Sequence, residues 1–189
     1  MRNILKVIAL NLFILVSMTS FAEDSNTFLI ETNRGNITIE VYPKKAPETV
    51  ANFKAYVANG FYNELIFHRV ISSFMIQGGG FDKNMMQKQT NDPIINESNN
   101  GLKNKPYTLA MARTNDPNSA TSQFFINLID NGFLNYTGKS SSKIGYCVFG
   151  SVIEGKDIVD KIGKFKTHTK NGQSDVPIKK VVIKSIKQR

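Results

Sequence analysis

The stretch Phe67-His68-Arg69-Val70-Ile71-Ser72-Ser73-Phe74-Met75-Ile76-Gln77-Gly78-Gly79-Gly80 lies over two β-prone runs, residues 66–71 and 74–77, parted by a pair of serines. Side chains alternate along a strand, so Arg69 and Ile71 share one face. The second run adds a large apolar pair, Phe74 and Met75, and an amide, Gln77. The triple glycine is not a phosphate loop, because no Gly-Lys-Ser/Thr and no helical run follow it. It reads instead as a flexible or tightly bent strand end.

The pattern extends in both directions. Residues 27–32 are β-prone, and Asn33-Arg34-Gly35-Asn36 carries turn residues. Ile37, Ile39 and Val41 then alternate with Asn36, Thr38 and Glu40, as in a strand with one buried face, and the two runs read as a hairpin. Pro43 and Pro47 end it. Pro47 suits a first helical position, and Val50, Phe53 and Val57 follow at helical spacing until Asn59-Gly60. On the other side, residues 108–112, 123–128 and 146–153 are further short β-prone runs. Residues 155–162 read as a second helix, with Ile158, Val159 and Ile162 on one side, and residues 179–186 as a last strand. Residues 82–105 are polar and rich in Asn, Gln and Lys, an extended surface loop of the length that often carries function. Many short strands with only two helices predict a mainly β barrel or sandwich. A closed barrel with both helices outside also removes exposed edges.

Composition narrows the classes of function. Of 189 residues, 41% are hydrophobic and 21% charged, which supports a packed core and excludes a disordered tail, a collagen-like rod and a multi-span membrane protein. The single cysteine, Cys147, allows no intrachain disulfide. Its apolar flanks Tyr146 and Val148-Phe149 mark it as a buried small hydrophobe rather than a nucleophile. The two histidines, His68 and His168, have no paired carboxylate motif, and His168 sits in a Lys/Thr-rich loop, so neither a metal nor a cofactor is expected. Lys and Arg number 24 against 15 acids, giving +9. The lysines are scattered apart from clusters at 161–170 and 179–187, and no aromatic–basic recognition motif accompanies them, so no nucleic-acid partner is expected.

Residues 1–22 read as a secretory signal peptide. Arg2 and Lys6 start it, residues 7–16 are apolar except for Asn11, and Ser20-Phe21-Ala22 places small residues where a signal peptidase reads, with cleavage expected after Ala22. The competing reading is a retained anchor, but the apolar run is shorter than the ~20 residues of a spanning helix. Cleavage leaves residues 23–189 as one domain with no membrane insertion, exported to the periplasm or secreted.

Three further blocks stand beside the first: Met111-Ala112-Arg113 with Ser122-Gln123-Phe124-Phe125-Ile126-Asn127, then Phe133-Leu134-Asn135, then Gly145-Tyr146-Cys147-Val148-Phe149-Gly150. In order and spacing the four blocks resemble the cyclophilin-type peptidyl-prolyl cis–trans isomerases, over about residues 27–186. They look most like the bacterial periplasmic group. The resemblance implies a closed eight-stranded antiparallel β-barrel capped by two α-helices, acting on proline-containing unfolded or folding polypeptides; nothing in the sequence points to more than a monomer. It implies Arg69 as the catalytic residue and a proline pocket of Phe74, Met75, Phe125 and Leu134. It implies substrate contacts at Gln77, Ala112 and Arg113, with Arg113 where many eukaryotic members have Asn. Gln123 matches a polar pocket wall, and His68 the histidine before the arginine. Two positions depart from the eukaryotic pattern: Phe133 replaces a tryptophan and Tyr146 a histidine. Loss of the indole N–H donor implies weak cyclosporin binding with intact isomerase chemistry.

These residue types suit rotation about an X–Pro amide. The C–N double-bond character sets a barrier of about 18–20 kcal/mol, and the uncatalysed reaction takes tens to hundreds of seconds. No bond breaks, so no nucleophile, metal or redox group is required. Each pocket residue alone reads as ordinary core, and Arg69 alone as a surface ion-pair partner; the set together carries the functional reading. The rival is a binding or chaperone module that has kept the fold without turnover.

Overall fold

The computed structural model describes residues 25–189; the signal segment expected at residues 1–22 lies outside them. The barrel strands are β1 (Thr27–Thr32), β2 (Gly35–Val41), β3 (Leu65–Ile71), β4 (Met75–Asp82), β5 (Thr108–Met111), β6 (Phe124–Asn127), β7 (Val148–Glu154) and β10 (Val181–Gln188). They close in the order β1-β10-β3-β4-β6-β5-β7-β2, and every pairing is antiparallel. Two helices, α1 (Pro47–Ala58) and α2 (Lys156–Gly163), pack on this barrel. The mainly β, closed eight-stranded architecture with two helices is therefore the one expected. None of the helices among the described residues is long and apolar enough to cross a membrane.

The alternation along each strand sorts side chains into two apolar layers. Phe124 and Ile126 of β6 face the central core with Leu109, Ile76 and Phe149. Their neighbours Phe125, Ala110, Met75 and Val148 form a separate cluster on the other side of the same strands. The barrel is filled, not hollow. Phe53 of α1 reaches the core edge-on to Phe28 and Phe124, with ring centroids 5.3 and 6.1 Å apart. Val159 and Ile162 of α2 join the same core.

The structure corrects the sequence reading in two places. Residues 167–177, taken as loop around His168, form a two-stranded sheet of β8 (Thr167–Lys170) and β9 (Gln173–Pro177), with His168 paired to Val176. Asn171 and Gly172, with φ of +50° and +76°, make the two-residue turn between them. The triple glycine does not end a strand, because β4 continues through it to Asp82. Gly79 adopts φ +85°, and Gly80 leaves room for Gln123, whose Cγ would lie 2.5 Å from any added Cβ.

Candidate active site

A bulge in β3 builds the site. Phe67 pairs with Gly78 and Arg69 with Gln77, so two steps along β3 oppose one along β4. Strict alternation would put Phe67 and Arg69 on one face. Instead Phe67 and Val70 both belong to the core, and Arg69 emerges on the outer wall directly across from Gln77.

There a cavity of about 160 Å³ opens, lined by Arg69, Gln77 and Arg113 on its polar side and by Phe74, Met75, Ala112, Phe125, Leu134 and Tyr146 on its apolar side. Met75, Phe125 and Leu134 are buried, and Tyr146 meets Phe125 edge-on at 5.7 Å between ring centroids. The Arg69 side chain is 42% exposed. Its Nη1 donates to Gln77 Oε1 at 3.4 Å, and Gln77 Nε2 donates to Gln123 Oε1 at 2.9 Å. Gln123 thus stands behind Gln77 rather than on the cavity wall. Opposite, the Arg113 guanidinium lies 4.5 Å over the Tyr146 ring and donates to the carbonyls of Gly145, Ile144 and Thr114 at 3.2, 2.6 and 2.8 Å. Those bonds fix the segment from Ala112, whose own N–H donates to Gln123 O at 2.9 Å.

Besides Gln123, two more residues expected at the substrate site do not line the cavity. Phe133 is 76% exposed and stacks on Phe74 at 5.7 Å, making an outer rim. His68 is buried against Phe81, ring centroids 4.6 Å apart, because the bulge sends it away from Arg69's surroundings. Burial pulls its imidazole down from 6.5 to about 4. Cys147 is buried as expected, and burial pushes its thiol up to about 11.

Sequence reasoning missed the polar scaffold behind the pocket. Asn104, Asn127 and Asn131 are fully buried. Asn131 Nδ2 donates to Phe74 O at 2.9 Å and to Asn127 Oδ1 at 2.7 Å, and Asn104 Nδ2 donates to Leu134 O at 3.2 Å. The loops carrying Phe74 and Leu134 are thereby tied to β6. Only Asn127, which interrupts the apolar run from Phe124 to Ile129, leaves a trace of this network in the sequence; Asn104 lies between two lysines and Asn131 beside Asp130. It also missed Asp175, whose Oδ2 lies 3.7 Å from Arg69 Nε. Among the described residues no group of three His, Cys, Asp or Glu side chains could hold a metal ion.

A sequence model of the family described as cyclophilin type peptidyl-prolyl cis-trans isomerase/CLD matches residues 27–188. The chain belongs to the cyclophilin family. This cyclophilin is 56% identical over 162 residues to a peptidyl-prolyl cis-trans isomerase of Streptomyces antibioticus, covering 86% of this chain and 98% of the relative. It is 57% identical over 155 residues to peptidyl-prolyl cis-trans isomerase B of Escherichia coli, covering 82% and 94%. A solved cyclophilin-type isomerase from Cryptosporidium parvum, crystallised in the presence of the dipeptide Ala-Pro, superposes with a TM-score of 0.68 at 28% identity, covering 86% of this chain and 98% of that one. This cyclophilin is a peptidyl-prolyl cis-trans isomerase.

Proposed function

We propose that this cyclophilin speeds X–Pro isomerisation through Arg69 and serves exported proteins as they fold. The observation that carries the first half is the guanidinium at the edge of an apolar cavity, across one strand pair from Gln77. As the amide twists, its nitrogen becomes pyramidal and gains a lone pair. A guanidinium N–H directed at that lone pair favours the twisted state over the planar one. Arginine suits the task because it stays charged and offers a rigid fork of donors. Phe74, Met75, Phe125 and Leu134 receive the pyrrolidine ring and keep water from the donor. Gln77, with the backbone at Ala112 and Arg113, holds the peptide while one side of the bond turns. Lowering the barrier by about 7 kcal/mol corresponds to roughly 10⁵-fold acceleration.

The test is a peptide isomerisation assay on the wild type and Arg69→Ala. The variant is expected to lose most of the activity, at least about a hundredfold, while keeping its circular dichroism and melting temperature. Equal rates would overturn the role of Arg69. The same assay decides between an enzyme and a binding module, since a pure binder leaves the rate at the uncatalysed value.

Export is supported by the signal-like residues 1–22. N-terminal sequencing of the protein from a periplasmic extract should begin at Glu23; a start at Met1 would sink this half of the reading. Weak cyclosporin binding follows from Phe133, whose exposed ring offers no N–H donor.

A further inference from the structure

We propose that Asp175, on the β8–β9 hairpin outside the barrel, is a positioning residue for Arg69. The proposal rests on the reading of Arg69 as the group that acts on the prolyl amide. The planar guanidinium has a neighbour on each side. Gln77 Oε1 accepts from Nη1 at 3.4 Å, and the Asp175 carboxylate faces Nε at 3.7 Å. Among the described residues nothing accepts from Nη2, which is left for the substrate. Two partners on different elements, β4 and β9, restrict the swing of a long side chain that would otherwise sample many rotamers.

The hairpin is built to present this carboxylate. Val176, next to Asp175, is buried with Ile66 of β3 and Met85, which fastens β9 to the barrel wall beside the bulge. Asp175 itself has φ +64° inside a strand, a left-handed conformation that most residues with a Cβ avoid and that Asp and Asn tolerate best. A left-handed residue within a strand breaks the alternation and re-aims the side chains around it. Here the carboxylate is the side chain that reaches Arg69. With side chains 42% and 36% exposed, the pair contributes little to stability, and its role is orientation before substrate arrives.

Asp175→Asn tests this, since asparagine keeps the shape and the tolerance for φ above zero while removing the charge. Its kcat on an X–Pro peptide should fall about three- to tenfold with KM changed less than about twofold, at an unchanged melting temperature. Asp175→Gly should show the same loss of kcat with equal or higher stability, because glycine relieves the backbone. Raising the salt from about 10 mM to about 1 M should lower the wild-type kcat toward that of Asp175→Asn and leave the variant unmoved. In an Arg69→Ala background the residual rate should not respond to Asp175→Asn. A wild-type kcat in Asp175→Asn, or the same proportional loss with and without Arg69, overturns the proposal. If Arg69→Ala is inactive while Asp175→Asn is fully active, the positioning role alone fails. If Arg69→Ala is fully active, the reading beneath it fails.

Discussion

At the scale of single residues, His68 shows how one position can be adjacent in sequence to the arginine proposed to act on the prolyl amide and yet belong to the wall. Its imidazole is buried, and among the described residues its Nδ1 has no hydrogen-bond partner. Held at about 4 against an ordinary 6.5, it stays neutral in the native state while the unfolded chain protonates it. Between these two values the unfolded state binds the extra proton, so stability falls as pH drops from about 6.5 toward 4, by as much as ~3 kcal/mol. Urea denaturation across pH 4.5–7.5 should show this slope, and His68→Gln should flatten it. A slope of the same size in the variant would place its origin elsewhere. The measured range, pH 4.5–7.5, lies above that in which Glu31, held below its ordinary 4.5 chiefly by its hydrogen bond from Lys187, would add its own acid loss.

At the scale of elements, the cavity depends on close backbone contact between two loops. A Cβ at Gly145 would lie 2.2 Å from Leu134 O and 2.5 Å from Asn135 C, and Tyr146 N–H donates to Leu134 O at 2.9 Å. Gly145 therefore sets two cavity walls, Leu134 and Tyr146, side by side. Gly145→Ala should cost about 1–3 kcal/mol of stability and raise KM more than it lowers kcat, as read by urea melts and peptide kinetics. An unchanged KM would mean that the loops adjust without moving the walls. Much of the element pattern was legible in the sequence. Alternation in residues 36–41 predicted β2, and Pro47 with Val50, Phe53 and Val57 predicted α1. The β8–β9 hairpin was not, although Asn171-Gly172 is a strong turn signal. Thr167, His168, Thr169 and Lys170 are polar throughout, so no buried face announces a strand. The bulge at His68 left no mark either, because it comes from pairing with β4 and not from composition. For the same reason Asp175 could not be matched to Arg69: the partnership exists only once β9 lies against β3.

At the scale of the whole molecule, closure depends on the last strand. β10 pairs with β1 along Phe28↔Gln188 to Thr32↔Ile183 and with β3 at Val181↔Phe67, and Val181, Ile183 and Ile186 are buried. Deleting residues 181–189 removes core side chains and opens two strand edges together. The truncated chain should show no cooperative thermal transition and no near-ultraviolet dichroism. A cooperative melt would mean that the remaining strands can reclose without β10.

Because Phe53, Phe124, Phe149 and their neighbours occupy the space inside the strands, the proposed site is confined to the outside of the wall. A client need not thread a tunnel or offer a free end. On the proposed reading, a proline anywhere along an extended chain would be laid sideways into the groove and lifted out again, so long polypeptides and short peptides would meet the same open workbench.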